Sequence, residues 1–344
     1  MTTLSISQAG AKHGANGDAT DTLRAHAAFM SSLALKHDLV ARLIGARSFH
    51  YVDIPVHGNI GDLLILHGTM AFFTKKKLVP KIVAPTFGYR PEWTSDGEVV
   101  VFHGGGNFGD LYWNSGSQRL REQMVTLLPK NRIIVLPQTL HFSSAEKQHR
   151  SARIFRAHRD VHLCVRDEPS LRMATEFTDH VYLLPDMAHQ LYPLGPQGNP
   201  AGVGTLLVNR ADREKGASTA AWAHKISRKV DWPELVGTRE RHIDRFRRAV
   251  RLLRRHGLGR PGSNVLSRAW IAYSKTLIQD AADLFAPHEH IVTDRLHAHI
   301  LACLMNKRST VVDNSYGKNS GYVNAWTAAS GLVTLERQYR DSAL

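Results

Sequence analysis

The stretch Thr293-Asp294-Arg295-Leu296-His297-Ala298-His299 puts an arginine and two histidines where a β-branched run, His290-Ile291-Val292, gives way to a helical apolar run over 300–305. A strand-to-helix junction in an open α/β sheet is where ligands bind, because the helix N-terminus exposes unpaired N–H groups and carries partial positive charge. An arginine and an imidazole added there suit a small, multiply charged acid, and Lys318 follows as a further cation. His297 and His299 are two positions apart, so they do not share a helix face and cannot chelate a metal as an i, i+4 pair would. With no His-Glu-x-x-His and no paired cysteines, no metal site is expected.

Three further strand ends carry polar residues. His57-Gly58-Asn59-Ile60-Gly61-Asp62 has two glycines that let backbone N–H groups approach a ligand, and Asp62 either contacts that ligand or caps the following helix. It lacks both Gly-Lys-Ser/Thr and Gly-x-Gly-x-x-Gly, which leaves a mononucleotide or NAD site without support. His103-Gly104-Gly105-Gly106-Asn107-Phe108-Gly109-Asp110 is the second such loop, and so many glycines imply that the backbone itself lies close to something. The candidate binding residues in these two loops are Asn59, Gly61, Asp62, Gly105, Gly106 and Asn107. Arg166 directly follows an apolar strand, and either pairs with Asp167 or Glu168 or forks onto a carboxylate or phosphate. His141, His189 and His288 read as surface or packing residues.

The elements that must position these groups alternate in type. A helical stripe over 23–44 closes at Gly45, and strands are expected at 51–55, 82–83, 99–102, 133–136, 161–165 and 181–184, with helices such as 63–73 and 119–128 between them. Strand, crossover helix, strand means a parallel sheet. The proline- and glycine-rich segment 193–200 permits neither helix nor ladder and is the expected linker. It would separate an N-terminal segment and packing helix (1–45) and a first Rossmann-like domain (46–192) from a second (201–344), which begins with strand 205–208 and is mostly helical over 215–288. The fold class is therefore α/β, with two Rossmann-like parallel-sheet domains facing a cleft, and 344 residues suit two cores of ordinary size.

Lys and Arg number 44 against 30 Asp and Glu, a formal charge of +14. Much of the excess sits over 239–255, where Ile243, Phe246, Val250 and Leu253 recur at helical spacing among arginines. Such a basic amphipathic helix packs inward, lies on an anionic membrane or faces a lipid diphosphate. Sparse aromatic interleaving argues against nucleic acid. Cys164 and Cys303 lie in apolar segments and read as buried thiols, and neither a secretory h-region nor a run of ~20 apolar residues is visible, so a cytoplasmic protein is expected.

Taken in order, His57–Asp62, His103–Asp110, Pro137-Gln138-Thr139, Val165-Arg166-Asp167-Glu168, Leu184-Pro185-Asp186, Thr293-Asp294-Arg295-Leu296-His297 and Asn314-Ser315-Tyr316-Gly317-Lys318 resemble the polysaccharide pyruvyl transferase family over about 50–326. The resemblance implies a fold like the GT-B glycosyltransferases. It also implies transfer of a pyruvyl group from phosphoenolpyruvate, as donor substrate and with no cofactor, onto two hydroxyls of one sugar. The products would be a cyclic ketal and phosphate. By similarity Arg166, Arg295, Leu296, His297 and Lys318 would hold the donor, and Asp62 would lie beside the acceptor. The chemistry needs an acid at the methylene carbon, for which His297 is the candidate, with Arg295 as clamp and Asp62 as base. A lipid-linked oligosaccharide at the inner membrane face is the expected acceptor. Rival readings are a nucleotide-sugar GT-B glycosyltransferase and a noncatalytic protein that binds anionic lipid or RNA.

Overall fold

A computed structural model of the chain describes residues 11–195, 202–210, 226–257, 259–313 and 318–336. Positions 196–200 of the expected linker, and Asn314 to Gly317, lie outside the described residues, as does the side chain of Lys318.

The strands are β1 (Phe49–Val52), β2 (Ile82–Ala84), β3 (Val99–Phe102), β4 (Gly105–Gly109), β5 (Arg132–His141), β6 (Val161–Val165) and β7 (His180–Leu183) in the first sheet. The second sheet holds β8 (Thr205–Val208), β9 (Ile226–Val230), β10 (His290–Thr293), β11 (Arg308–Val312) and β12 (Val333–Glu336). The orders are β2-β1-β3-β5-β6-β7, with β4 also on β5, and β12-β11-β10-β8-β9, and every pairing is parallel. Continuous runs such as Val99 to Phe102 are buried at every position, as strands covered on both faces must be.

One apolar core runs through both sheets, taking in Tyr51 and Val101 of the first and Leu206, Val208 and Ile291 of the second. Its centre is the helix Ile60–Lys75, apolar nearly all round, which packs against the helices Gly259–Phe285 and Leu296–Leu304. A Cβ at Gly68 would meet the Met187 carbonyl oxygen at 2.2 Å, so glycine permits this close approach. The arginine-rich helix Glu240–Arg255 and its successor Gly259–Phe285 lie along the β2 edge of the first sheet. There Asn264 accepts from the Val83 N–H at 3.1 Å, and Trp270 Nε1 donates to the Pro55 carbonyl at 2.7 Å.

Several local expectations are corrected. The stripe over 23–44 is two helices, Ala11–Lys36 and Asp38–Ile44, broken at buried His37, whose ring bonds the Pro185 carbonyl at 2.9 Å. Gly45 does end the second, at φ +62°. The glycine-rich loop is partly strand, because residues 105–109 pair with β5. The mostly helical interval 215–288 contains β9, and β12 was not foreseen at all. Both cysteines are buried thiols. Among the described residues no helix is long and apolar enough to cross a membrane.

Candidate active site

The C-terminal ends of β1, β3, β6 and β10 open on one cavity of about 540 Å³. Arg166, Arg295, Leu296, His297, Asn59, Asp62, Gly106 and Asn107 all line it, so the cations expected from distant parts of the sequence meet at one cavity.

Arg166 follows β6 and is 1% exposed. Its carboxylate partner is Asp186, not the adjacent Asp167 or Glu168; Asp167 instead caps the next helix by accepting from the Ser170 N–H at 2.9 Å. Arg166 Nε donates to Thr139 Oγ1 at 3.0 Å. His297 Nε2 lies 3.3 Å from Asp186 Oδ2 and 3.5 Å from Arg166 Nη1, giving a compact Arg–Asp–His cluster. Burial alone would raise the Asp186 carboxyl. The hydrogen bond and charge of His297, then the charge of Arg166, hold it well below the usual carboxylate range. Asp186 is further fixed by the Ala188 N–H at 2.9 Å, while its own N–H donates to Tyr322 Oη at 3.0 Å, an oxygen that also bonds His189 at 2.8 Å.

His297 stands in the first turn of Leu296–Leu304, and Gly61 in the first turn of Ile60–Lys75 packs directly against its ring. A Cβ at Gly61 would lie 2.5 Å from His297 Nδ1, so this glycine is a contact requirement. His299 turns to the opposite side, where it is fully buried between Ser309 (2.9 Å) and Thr327 (2.8 Å). His189 and His288 are packing residues as expected, although His189 also reaches the Asp186 network. Arg295 makes a side-on bidentate pair with Asp231, Nε to Oδ1 at 2.5 Å and Nη2 to Oδ2 at 2.8 Å.

Asn59, not Asp62, caps the helix Ile60–Lys75 by accepting from the Gly61 N–H at 3.1 Å, which leaves Asp62 in its first turn. Asp62 Oδ2 accepts from Asn59 Nδ2 at 2.9 Å and faces His57 Nε2 at 3.6 Å. Gly105, at φ +124°, has Asp62 Oδ1 as a neighbour 3.5 Å from where a Cβ would stand. Asn107 is held by Arg121 Nη2 at 2.6 Å and Gln138 Nε2 at 2.9 Å.

Sequence reasoning missed Asp53 and Ser117, which line the cavity with Asn107, and the buried Arg121 that holds Asp53 and Asn107. Asp53, at φ +66°, accepts from Arg121 at 2.7 Å, Ser117 at 2.7 Å and Thr86. Its position just past β1 was the available signal. His103, first residue of the glycine-rich motif, bonds Tyr51 Oη at 2.6 Å, and burial pushes it down to about 4. Arg247 and Arg251 also line the cavity, so the basic helix contributes to this wall. Among the described residues no group of three His, Cys, Asp or Glu side chains could hold a metal ion.

Comparison with known proteins bears on this geometry. The profile of the family described as Polysaccharide pyruvyl transferase matches residues 59–316. A Bacillus subtilis protein described as the pyruvyl transferase EpsO is 35% identical over 288 residues, covering 80% of this chain and 84% of that one. Pyruvyl transferase 1 of Schizosaccharomyces pombe is 27% identical over 315 residues, covering 82% and 70%. A solved structure of a functionally uncharacterised Klebsiella pneumoniae protein shares the fold, with a TM-score of 0.58 at 20% identity over 89% of this chain and 99% of that one.

Proposed function

The chain belongs to the polysaccharide pyruvyl transferase family, and on that premise we propose that it moves the pyruvyl group of phosphoenolpyruvate onto two hydroxyls of one sugar in an exopolysaccharide or cell-surface glycan precursor. The observation that carries this reading is the convergence of Arg166, His297 and Arg295 on one cavity, with Asp186 buried behind the first two.

Protonation of the donor's methylene carbon creates an oxocarbenium-like centre, which the first sugar hydroxyl captures with loss of its proton. The second hydroxyl then displaces phosphate, loses its proton and closes the ketal. His297 delivers the proton or meets the departing phosphate, and the Asp186 carboxylate orients its imidazole. Arg166 and Arg295 neutralise the donor's carboxylate and phosphate, with Leu296 beside them and Lys318 as a further cation. Asp62, in the first turn of its helix with Asn59 and Gly61, takes the hydroxyl proton, while Gly105, Gly106 and Asn107 shape the acceptor side. The acceptor is carried on a lipid at the cytoplasmic membrane face. The reading needs no cofactor and places the catalytic cleft between the two parallel-sheet halves.

Incubation with phosphoenolpyruvate and a candidate glycan tests it. Phosphate release together with a glycan that has gained one pyruvyl group and lost two hydroxyl protons is expected. Consumption of a nucleotide sugar in place of phosphoenolpyruvate overturns it.

A further inference from the structure

The two arginines assigned to the donor each have a buried carboxylate of their own: Arg166 has Asp186 and Arg295 has Asp231. The wall supplied by the helix Glu240–Arg255 is built differently. Arg247 and Arg251 are one helical turn apart, on one face, and both line the cavity. Arg247 is anchored by Nε on the Val56 carbonyl at 2.7 Å and by Nη1 on Asp244 at 2.9 Å and Glu240 at 3.2 Å, two half-exposed carboxylates that screen it weakly. Arg251 lies over the Phe87 ring at 5.1 Å and has no carboxylate partner among the described residues. A guanidinium stacked on an aromatic face keeps its edge N–H groups for an anion.

These two cations are carried by a different part of the fold from Arg166. Val56, which anchors Arg247, follows β1, whereas Arg166 follows β6, and β3 and β5 lie between them. Three strand spacings put the two strand ends roughly 14 Å apart, so the backbones that position Arg247 and Arg166 flank more space than a three-carbon donor fills. A cavity of about 540 Å³ has room for a second, larger ligand beside it.

We propose that Arg247 and Arg251 form a second anion subsite, which binds the phosphate or diphosphate ester through which the acceptor sugar is attached to its carrier. This deepens the pyruvyl transfer reading and rests on it for the word acceptor. The subsite itself is a separate binding claim. It also gives the basic helix a role inside the cavity, with exposed Arg241, Arg245, Arg248 and Arg255 left outside it.

The test is calorimetric titration of the full chain with inorganic pyrophosphate, with and without saturating phosphoenolpyruvate. Wild type is expected to bind pyrophosphate in both conditions. Arg251→Ala should weaken it about tenfold, or about 1.4 kcal/mol, and the Arg247→Ala, Arg251→Ala double variant further, since each removes a charged hydrogen-bond donor. Arg251→Lys, which keeps the charge but not the fork, should fall between. Farnesyl diphosphate binding more tightly than uridine diphosphate assigns the ester to a lipid carrier, the reverse to a nucleotide, and in either case Arg251→Ala weakens both. Pyrophosphate that phosphoenolpyruvate displaces one for one, or that Arg251→Ala binds as wild type does, overturns the subsite. Absence of heat from phosphoenolpyruvate, with pyrophosphate binding still dependent on Arg251, refutes the donor reading and leaves the subsite standing.

Discussion

Replacing Gly61 with alanine adds one methyl group directly against the ring of His297, a cavity-lining residue. That Cβ would stand 2.5 Å from His297 Nδ1, 2.7 Å from Cγ and 2.9 Å from Cβ. Ordinary contacts between such atoms are about 3.5–4.0 Å, so the imidazole must retreat by about 1 Å. His297 Nε2 sits 3.3 Å from Asp186 Oδ2, already at the long end of a hydrogen bond, so a displacement of that size disturbs the contact. Gly61 is not among the glycines with positive φ, so alanine strains no backbone there. Alanine's better helix propensity, about 1 kcal/mol, partly offsets an overpacking cost of about 1–3 kcal/mol, and the variant should stay folded. Activity is the sensitive quantity, because a misplacement of about 1 Å can cost on the order of a hundredfold in rate. Phosphate release from phosphoenolpyruvate should therefore show kcat reduced about a hundredfold with a thermal midpoint close to wild type. Repeated in a His297→Ala background, the same substitution should cost little more, since most of the atoms it strikes are gone. A Gly61→Ala enzyme with wild-type kcat, or an undiminished hundredfold loss in the His297→Ala background, would refute the argument that Gly61 acts through His297.

Other perturbations separate stability from chemistry. Arg295→Ala leaves the buried Asp231 carboxylate without its bidentate partner and should cost about 3–5 kcal/mol, read as a drop in the urea midpoint; an unchanged midpoint would show that the pair contributes nothing. Arg166→Lys keeps the charge facing Asp186 but loses the forked geometry, so donor affinity should fall while the fold persists, and unaltered donor affinity would remove Arg166 from the clamp. The fold should also be acid-labile. Burial pushes His37 and His103 down to about 4 and His189 and His299 to about 3, from an ordinary value of 6.5. They stay neutral in the fold while the unfolded chain takes up protons, so stability is lost as pH falls from 6.5 towards 4, by roughly 2 kcal/mol per histidine at pH 5. Asp186, held low, adds a loss only further down, as pH falls through its folded value. Equal urea midpoints at pH 7 and pH 5 would contradict the burial of these rings.

Strands buried on both faces were legible, because an apolar run bounded by turn residues has few alternatives: Val161–Val165, Val99–Phe102 and Thr205–Val208 fall where the sequence puts them. β9, Ile226-Ser227-Arg228-Lys229-Val230, was hidden because its central residues are exposed and polar, and β12 is half-exposed for the same reason. The positions of Arg166, Arg295 and His297 at strand ends were readable from their neighbours. Their carboxylate partners were not. Asp186 lies 20 residues from Arg166, and Asp231 lies 64 from Arg295, separations that only the sheet topology closes. The same limit explains Gly61. From the sequence this glycine reads as a place where the backbone approaches a ligand, whereas the structure sets it against a histidine more than two hundred positions away.

The most direct measurement is titration of phosphoenolpyruvate into wild type and into His297→Ala, by calorimetry at neutral pH. A saturable heat with wild type, markedly weakened in His297→Ala, is what a donor held by Arg166, His297 and Arg295 requires. No heat from wild type, or equal affinity in both proteins, would contradict it.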